Sequence, residues 1–267
     1  ATRTYIEKTN GGWQPYWSPK DSIYLTLGTD VSKAYTFRSS GEEGSLTSSF
    51  SGKIETGDGE VGIYAYRPKR AGRSETIYKF DTDNQVIPSL GTFDPTKDIL
   101  VSGAMTLQVA NQKVVSAESV KFNRILSVIR VLVGDSTTGN KLAGKSISTV
   151  KLTSSTEPLS GRLRIDITTG KIDKWETNTK FNYLAASYNG SDWTVGGSEG
   201  GMLLTAPVTL PAGSSLALEI GTSDSETYTR TVQLETAVEL EACKVYTFRF
   251  NFTDADLANE VETLKPL

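Results

Sequence analysis

Hydrophobic and polar side chains alternate along most of this chain. In VYTFRFNF (residues 245–252), Tyr246, Phe248, Phe250 and Phe252 fall on one side of an extended backbone, and Thr, Arg and Asn fall on the other. GRLRIDIT (161–168) alternates in the same way. A strand places successive side chains on opposite faces, whereas a helix would scatter the aromatic side chains around its circumference. Both segments are therefore predicted to be half-buried β-strands.

Shorter alternating runs recur along the chain and are separated by clusters of Gly, Asn, Asp, Ser and Pro, which form turns. The runs are SIYLTLG, EVGIYAY, ETIYKF, ISTVKLT, FNYLAASY, MLLTAPVTL, SLALEIG and TRTVQLE. Many short strands joined by turns predict an all-β fold built from β-sandwiches, rather than an α/β fold.

Two segments allow more than one structure. FNRILSVIRVLV (122–133) fits a helix by its apolar spacing, and also a strand that is covered on both faces. Its five Val and Ile residues have restricted χ1 angles and neither end has a clear helix cap, so we predict a long central strand. The tail TDADLANEVETLKPL (253–267) fits a short helix with an apolar stripe of Leu257, Val261 and Leu264, and equally a loosely held terminus.

The segment GDSTTGNKLAGKS (134–146) separates two strand-rich halves. Domain boundaries fall in exposed polar linkers of this kind. We therefore expect an N-terminal β-sandwich over residues 1–140 and a C-terminal β-sandwich over residues 141–267.

Composition narrows the chemistry that this chain can perform. The 267 residues carry a net charge of −3 and include no His and a single Cys, Cys243. A weakly acidic chain has no electrostatic reason to bind nucleic acid. Without His, a Ser-His-Asp triad and a His-based zinc site are excluded. We expect no enzymatic activity, no cofactor and no metal site, and a small buried side chain at Cys243 rather than a reactive thiol.

The octapeptide GNKLAGKS (139–146) matches the G-x-x-x-x-G-K-S phosphate loop of nucleotide-hydrolysing enzymes. That loop works only when a helix begins at its Lys-Ser pair and directs its N-terminus at the phosphates. The residues that follow, ISTVKLTSSTEPLSG, are rich in β-branched side chains and soon reach Pro158. We interpret the match as a chance feature of a Gly-rich linker and reject nucleotide binding.

Two charged motifs have simpler structural interpretations. RPKRAGR (67–73) is interpreted as a solvated basic loop that follows the strand EVGIYAY. DTDNQV (81–86) begins like a calcium loop but has Val86 where Gly is needed and Thr92 where Glu is needed, so a turn is predicted.

Three tryptophans support an alternative function. Trp13 and Trp17 in WQPYW, and Trp193 in NGSDWTVGG, could stack on sugar rings if their faces are exposed. The simpler interpretation is that these large amphipathic rings pack in the core or at a sheet edge. A cell-surface glycan-binding module that uses exposed aromatics is therefore the alternative hypothesis.

Several stretches, taken in order, are similar to one known family. They are TRT (2–4), WQPYWSPKDSIYLTLG (13–28), EVGIYAYRP (60–68), DILVSGAM (98–105), VKFNRILSVIRVLV (120–133) and LEACKVYTFRFNF (240–252). Together they resemble the fimbrillin family of surface lipoproteins and pilus subunits of Bacteroides-type bacteria. Asn123 stands where the family often has His, and Cys243 stands where Gly is common.

The resemblance implies two tandem Greek-key β-sandwich domains of transthyretin-like topology. It also implies an extracellular fimbrial (pilus) subunit or cell-adhesion protein at the cell surface or outer membrane, held by a lipid on an N-terminal Cys that this chain lacks. In polymerising members, an Arg-specific protease removes the first strand and the next subunit donates a strand in its place. Arg3 is then the candidate processing site. Other pilus subunits are the expected partners, with a surface glycan or protein as a further partner.

Overall fold

A computed structural model describes residues 5–9, 12–19, 21–30, 33–42, 45, 47–68, 77–111, 113–117, 119–135, 142–252 and 261–264. Of residues 5–9, 12–15, 77–79, 115–117, 135 and 261–264 it describes the backbone alone. The described residues form 23 β-strands and contain no helix. The predicted all-β fold is confirmed.

The strand bounds divide into two groups along the chain. Those before residue 141 are β1 (Tyr5–Thr9), β2 (Gly12–Tyr16), β3 (Ser22–Leu27), β4 (Ala34–Ser39), β5 (Phe50–Gly52), β6 (Gly59–Arg67), β7 (Ile77–Asp81), β8 (Gln85–Ile87), β9 (Leu100–Ala110), β10 (Lys113–Ala117), β11 (Asn123–Arg124) and β12 (Ser127–Asp135). Those after it are β13 (Ile147–Ser154), β14 (Ser160–Asp166), β15 (Lys171–Phe181), β16 (Tyr183–Tyr188), β17 (Gly201–Thr205), β18 (Val208–Leu210), β19 (Ser215–Thr222), β20 (Thr227–Leu234), β21 (Val238–Leu240), β22 (Val245–Phe252) and β23 (Val261–Leu264).

The strands assemble into four larger sheets and two two-stranded sheets. The N-terminal sheet has the order β10-β9-β6-β3-β4-β5, and β11 also pairs with β9. A six-stranded sheet has the order β23-β20-β19-β13-β16-β8. Two three-stranded sheets have the orders β17-β12-β22 and β15-β14-β7, and β1–β2 and β18–β21 form two-stranded sheets.

A sandwich of the six-stranded sheet and the β17-β12-β22 sheet holds the largest apolar cluster, which we call the large core. Alternate residues of β13, β16 and β19 meet Phe248, Phe250 and Phe252 of β22, all of which are buried. The predicted inward face of the 245–252 segment is confirmed. Removing these rings from water supplies about 25 cal/mol per Å² of apolar surface, which makes this sandwich the main source of stability.

Two further clusters of apolar side chains lie toward the N-terminal half. The middle core combines β14, the opposite face of β12 and β17, and part of the N-terminal sheet; its buried members are Tyr66, Phe80, Phe93, Ile99, Val101, Ile125, Leu126, Val128, Leu163, Ile165, Ile167, Met202, Leu204 and Ala206. The N-terminal core lies on one face of the N-terminal sheet; its buried members are Ile23, Leu25, Phe37, Ile63, Ala65, Leu107 and Val109. Leu163, Ile165 and Ile167 all belong to the middle core, so the predicted inward side chains of the 161–168 segment are confirmed.

The segment 122–133 forms strands, as predicted, with a break between β11 and β12. β12 lies between β17, which is antiparallel to it, and β22, which is parallel to it. Because both faces of β12 are covered, Val128 faces the middle core while Ile129 and Val131 belong to the large core. Continuous coverage explains why this strand has an apolar run instead of strict alternation.

Strand pairing crosses the expected domain boundary at residues 140 and 141. β12 pairs with β17 and β22, β7 pairs with β14, and β8 pairs with β16. The first strand of each pairing comes from the first half of the chain and its partner from the second. The division into domains over residues 1–140 and 141–267 stays a prediction.

The tail and Cys243 differ from the expectations. Residues 253–260 lie outside the described residues, and Val261–Leu264 form a strand parallel to β20 instead of the end of a helix. Cys243 is exposed rather than buried, and its φ of 63° lies in the left-handed region that favours Gly. Its amide donates to the carbonyl of Leu126 at 3.0 Å, in the turn before β22. Gly would adopt this left-handed turn without strain.

Candidate functional site

The phosphate-loop match lies in a loop that leads into a strand. Residues 136–141 lie outside the described residues, and β13 begins directly after Ser146, so the helix that this motif needs is replaced by a strand. Lys145 Nζ donates to Asp224 Oδ2 at 2.9 Å, to Tyr228 Oη at 3.1 Å and to a carboxylate oxygen of Glu226. The loop is thus anchored to β20 and the turn before it by its own lysine.

These contacts also change the acidity of the groups involved. Hydrogen bonds to Glu226 and then to Asp224 raise the pKa of Lys145. The hydrogen bond from Lys145, followed by that from Tyr228, lowers the pKa of Glu226. A hydrogen bond from Thr222 and then one from Lys145 lower the pKa of Asp224. The cluster therefore combines one positive and two negative charges, and each group is held in its ionised form.

Trp193 is completely buried in the large core. Its ring meets that of Tyr188 edge-on, with centroids 5.8 Å apart at 81°. The ring also covers Gly201, where a Cβ atom would come within 2.5 Å of it. Burial, followed by the hydrogen bond to Asp192, raises the pKa of Tyr188 to about 12. The hypothesis that Trp193 stacks on a sugar is corrected by this placement, because neither face of the ring reaches the surface.

Trp17 is partly buried at the border of the N-terminal core. It meets Phe50 edge-on at 5.0 Å and Phe122 at 5.7 Å, and its backbone bridges to Ser45. Trp13 lies in β2 opposite Lys8 of β1, and its side chain is outside the described part of the chain, as is all of Arg3. Trp17 and Trp193 therefore lie in separate cores, and the hypothesis that Trp13 stacks on a sugar stays a prediction.

The N-terminal core is less covered than the other two. Among the described side chains it has seven buried apolar members and nine that are only partly buried, whereas the large core has 26 buried and four partly buried. The partly buried members are Trp17, Leu27, Tyr35, Phe50, Ile54, Val61, Met105, Val120 and Phe122. A sheet face in this state has space for additional apolar cover.

The edge of the same sheet is also incomplete. β5 pairs with β4 only at Phe37, Arg38 and Ser39, so residues 34–36 have no ladder partner on that side in the described part of the chain. The β1–β2 hairpin pairs within itself and forms its own two-stranded sheet. Unpaired strand edges accept extended segments through main-chain hydrogen bonds.

Buried ion pairs brace the region between the N-terminal sheet and the middle core. Arg67 Nη1 donates to Asp21 Oδ1 at 3.1 Å, with side-chain exposures of 1% and 0%. The expectation of a solvated basic loop is therefore corrected for Arg67, while residues 69–76 lie outside the described residues. The segment 81–86 forms the predicted turn between β7 and β8.

The second pair joins Arg124 to Asp98 through two hydrogen bonds of 2.7 and 2.9 Å. Burial lowers the pKa of Arg124, but the charge and hydrogen bonds of Asp98 outweigh it, so that the net pKa lies above its ordinary value. The guanidinium group also lies 5.3 Å from the centre of the Phe93 ring. β11 is thereby fixed to the middle core.

Sequence reasoning missed a cleft beside β15. Trp175, which was not among the three tryptophans considered for sugar stacking, is partly buried there with Ile172, and Lys171 and Lys174 also line the cleft. A register shift in the β14–β15 pairing places Ile172 and Trp175 on the same face, although they are three residues apart. The apolar-x-x-aromatic spacing in KIDKWE, within a predicted strand region, was the available signal.

No group of three or more His, Cys, Asp or Glu side chains among the described residues could hold a metal ion. In the same residues, no helix is long and apolar enough to cross a membrane.

Comparisons with known proteins identify the family. The model of fimbrillin-like proteins matches residues 6–266. No curated protein matches the chain. The chain is similar in structure to a candidate cell adhesion protein of Bacteroides uniformis, with a TM-score of 0.54, 14% identity and 88% of each chain covered.

Alignments of lower score include a candidate cell adhesion protein of Bacteroides fragilis, with a TM-score of 0.49, 11% identity, and coverage of 92% of this chain and 83% of that one. A fimbrial protein of Bacteroides ovatus aligns with a TM-score of 0.36, 13% identity, and coverage of 93% of this chain and 45% of that one. The family match over nearly the whole length confirms the resemblance carried by the sequence stretches: the chain belongs to the fimbrillin-like family.

Proposed function

We propose that this protein is an extracellular fimbrial subunit or fimbrillin-like adhesin, without enzymatic activity, that assembles by strand addition after proteolytic processing of its N-terminus. The observation that carries the proposal is the half-covered N-terminal core beside an incomplete sheet edge. Family membership agrees with a role at the cell surface.

The energetics favour completion of this face by an extended segment. Burying the remaining surface of a partly exposed Leu, Val or Phe contributes up to roughly 1.5–3 kcal/mol per side chain. A donated strand would also give residues 34–36 the ladder partner that they lack in the described structure. Other pilus subunits are the expected donors, through donor-strand-type exchange.

Processing would expose this face to the donor. Arg3 is the proposed cleavage position, and a lipid anchor preceding the processed segment would hold the unprocessed protein at the outer membrane. Neither step requires a catalytic side chain in this chain, because an external protease supplies the cleavage and main-chain hydrogen bonds supply the assembly.

The test uses the protein expressed from its natural start codon and treated with an Arg-specific protease. We expect conversion of the monomer to a ladder of oligomers that survives unheated SDS electrophoresis. Arg3→Lys removes the cleavage position while keeping the charge, and it is expected to leave the monomer. Ladders that form equally in Arg3→Lys would exclude Arg3 as the cleavage position.

A matched pair of substitutions tests the acceptor face. Val61→Asn places a polar group in the partly covered N-terminal core, whereas Val86→Asn makes the same change at a side chain that is 45% exposed on the six-stranded sheet. We expect Val61→Asn to reduce oligomer formation and Val86→Asn to leave it unchanged. Absence of oligomers from cleaved, folded wild-type protein would refute strand addition.

A further inference from the structure

The cleft beside β15 has a volume of about 460 Å³. β15 provides one wall; the loop after β17 and the turn before β22 provide the other. Its lining includes Lys171, Ile172, Lys174 and Trp175 of β15 and, on the other wall, Ala242. Ligand pockets in proteins typically measure about 300–1,000 Å³, so this cleft has room for one or two sugar rings.

An irregular pairing of β14 and β15 creates the apolar floor. Trp175 lies opposite Leu163 and Ile172 lies opposite Ile165, with a register shift between these two pairs. Regular alternation would place residues three apart on opposite faces. The shift directs both side chains toward the middle core, where each is only partly buried, so a part of each remains in the cleft.

The charged residues that line this cleft are all positive. Lys171 and Lys174 line the cleft, both are exposed, and its lining includes no Asp or Glu. Acidic side chains nearby have other partners: Asp173 lies 3.5 Å from Arg164, and Glu241 forms an ion pair with Lys244. The lining of the cleft therefore combines two lysine residues with a partly exposed indole ring.

We propose that this cleft binds an acidic saccharide, with a pyranose ring on the exposed part of Trp175 and its carboxylate or sulfate group held by Lys171 and Lys174. A flat amphipathic ring suits the apolar face of a sugar. Lysine ammonium groups bind anions as point charges, with little demand on geometry, which suits either acid group. The site goes beyond the proposed assembly function, because it lies outside the N-terminal core and does not depend on strand addition.

The test measures binding of three oligosaccharides by isothermal titration calorimetry. A hyaluronan hexasaccharide carries carboxylates only, a chondroitin sulfate hexasaccharide carries carboxylates and sulfates, and chitohexaose is neutral. We expect one or both acidic probes to bind and chitohexaose not to bind. The relative affinities of the two acidic probes identify the preferred anion. Binding should weaken as salt rises from low to physiological concentration, because the lysines are exposed.

Variants locate the site. Replacing both Lys171 and Lys174 by Gln should weaken binding about tenfold, since an exposed charge contributes only modestly to an ionic contact. The matched control replaces two other exposed lysines by Gln: Lys180, which lies on the same strand outside the cleft, and Lys113 of β10. The control protein should bind like the wild type. Trp175→Leu should abolish binding while keeping apolar contact with the middle core.

A second readout does not depend on the folding of the Trp175 variant. Cys243 is the chain's single cysteine, is exposed, and follows Ala242 in the cleft wall. A fluorophore on its thiol therefore reports ligand entry in the double lysine variant and in its control. Failure of both acidic probes to bind, equal binding of chitohexaose, or equal affinity of the double lysine variant and its control would each overturn the proposal.

Discussion

Gln85 provides the sharpest test of the fold, because its side chain forms hydrogen bonds with main-chain groups in distant parts of the chain. It is 1% exposed. Its amide nitrogen donates to the carbonyl of Leu204 at 2.7 Å and to that of Thr82 at 3.0 Å, and its amide oxygen accepts from the Leu204 amide at 2.8 Å. The β7–β8 turn is thereby joined to β17.

Replacing Gln85 by Met keeps the length of the side chain and removes all three hydrogen bonds. Each net hydrogen bond contributes about 1 kcal/mol, and each backbone group left buried without a partner costs about 1–3 kcal/mol. We expect a loss of about 3–5 kcal/mol in the free energy of unfolding, measured by urea titration. With a slope of about 3 kcal/mol per molar urea, the midpoint falls by at least about 1 M.

The control and a second variant separate hydrogen bonding from packing. Gln233→Met makes the same substitution at an exposed position of β20 and should change stability by less than about 0.5 kcal/mol. Gln85→Glu can still accept from Leu204 but cannot donate while ionised, so its pKa should rise in the folded protein. Its deficit should be full at neutral pH and shrink as pH falls toward about 4.3, the value of an unfolded Glu. A Gln85→Met loss equal to that of Gln233→Met would refute this reasoning.

Three other perturbations have defined outcomes. Asp98→Ala leaves the Arg124 guanidinium buried without its carboxylate and should lower the free energy of unfolding by about 3–5 kcal/mol in urea titrations. Gly201→Ala places a Cβ atom 2.5 Å from the buried indole ring of Trp193 and should lower the free energy of unfolding by about 1–3 kcal/mol. The control Gly62→Ala, where a Cβ atom meets no other atom within 4 Å, should lower it by less than about 1 kcal/mol. Thermal unfolding measures both. Lys145→Met should make the free energy of unfolding less dependent on pH in acid. The two carboxylate partners of Lys145, Asp224 and Glu226, have lowered pKa values in the folded protein. Their contribution to stability is therefore present above the pKa values of the unfolded chain, which lie near 4, and disappears as pH falls through the pKa values of the folded protein. Unfolding titrations between pH 7 and pH 3 measure this slope, and an unchanged slope in Lys145→Met would contradict the assignment.

Local pattern was sufficient to predict many of the strands, although not β15, and insufficient to predict their partners. Alternation in 161–168 and 245–252 reports which side chains face inward, because each strand has one buried face. The parallel pairing of β12 with β22 joins residues more than 100 positions apart, and no turn sequence encodes it. The same limit applies to Arg67, whose buried carboxylate partner lies 46 positions earlier.

The candidate sites were harder to predict, because each depends on an exception to regular geometry. Trp193 follows a Gly/Ser/Asp cluster that resembles a surface loop, yet Gly201 leaves room for its ring inside the large core. Trp175 lies in a charged, strand-like segment and reaches the cleft through a register shift that alternation does not reveal. Cys243 is exposed in a turn with a left-handed backbone conformation, which the polarity of its side chain does not predict.

The lysines of β15 have a simpler use that must be separated from ligand binding. β15 is an edge strand among the described residues, and lysines on an edge discourage uncontrolled pairing with other chains. This role applies equally to Lys171, Lys174 and Lys180, since all three are exposed on the strand. Only Lys171 and Lys174 line the cleft with Trp175. If edge protection is their only role, substitution of each lysine increases aggregation and leaves the affinity for acidic saccharides unchanged. If the cleft binds saccharides, the affinity depends on Lys171 and Lys174 but not on Lys180. The distinction is therefore positional, and aggregation and calorimetry measured on the same variants separate the two roles.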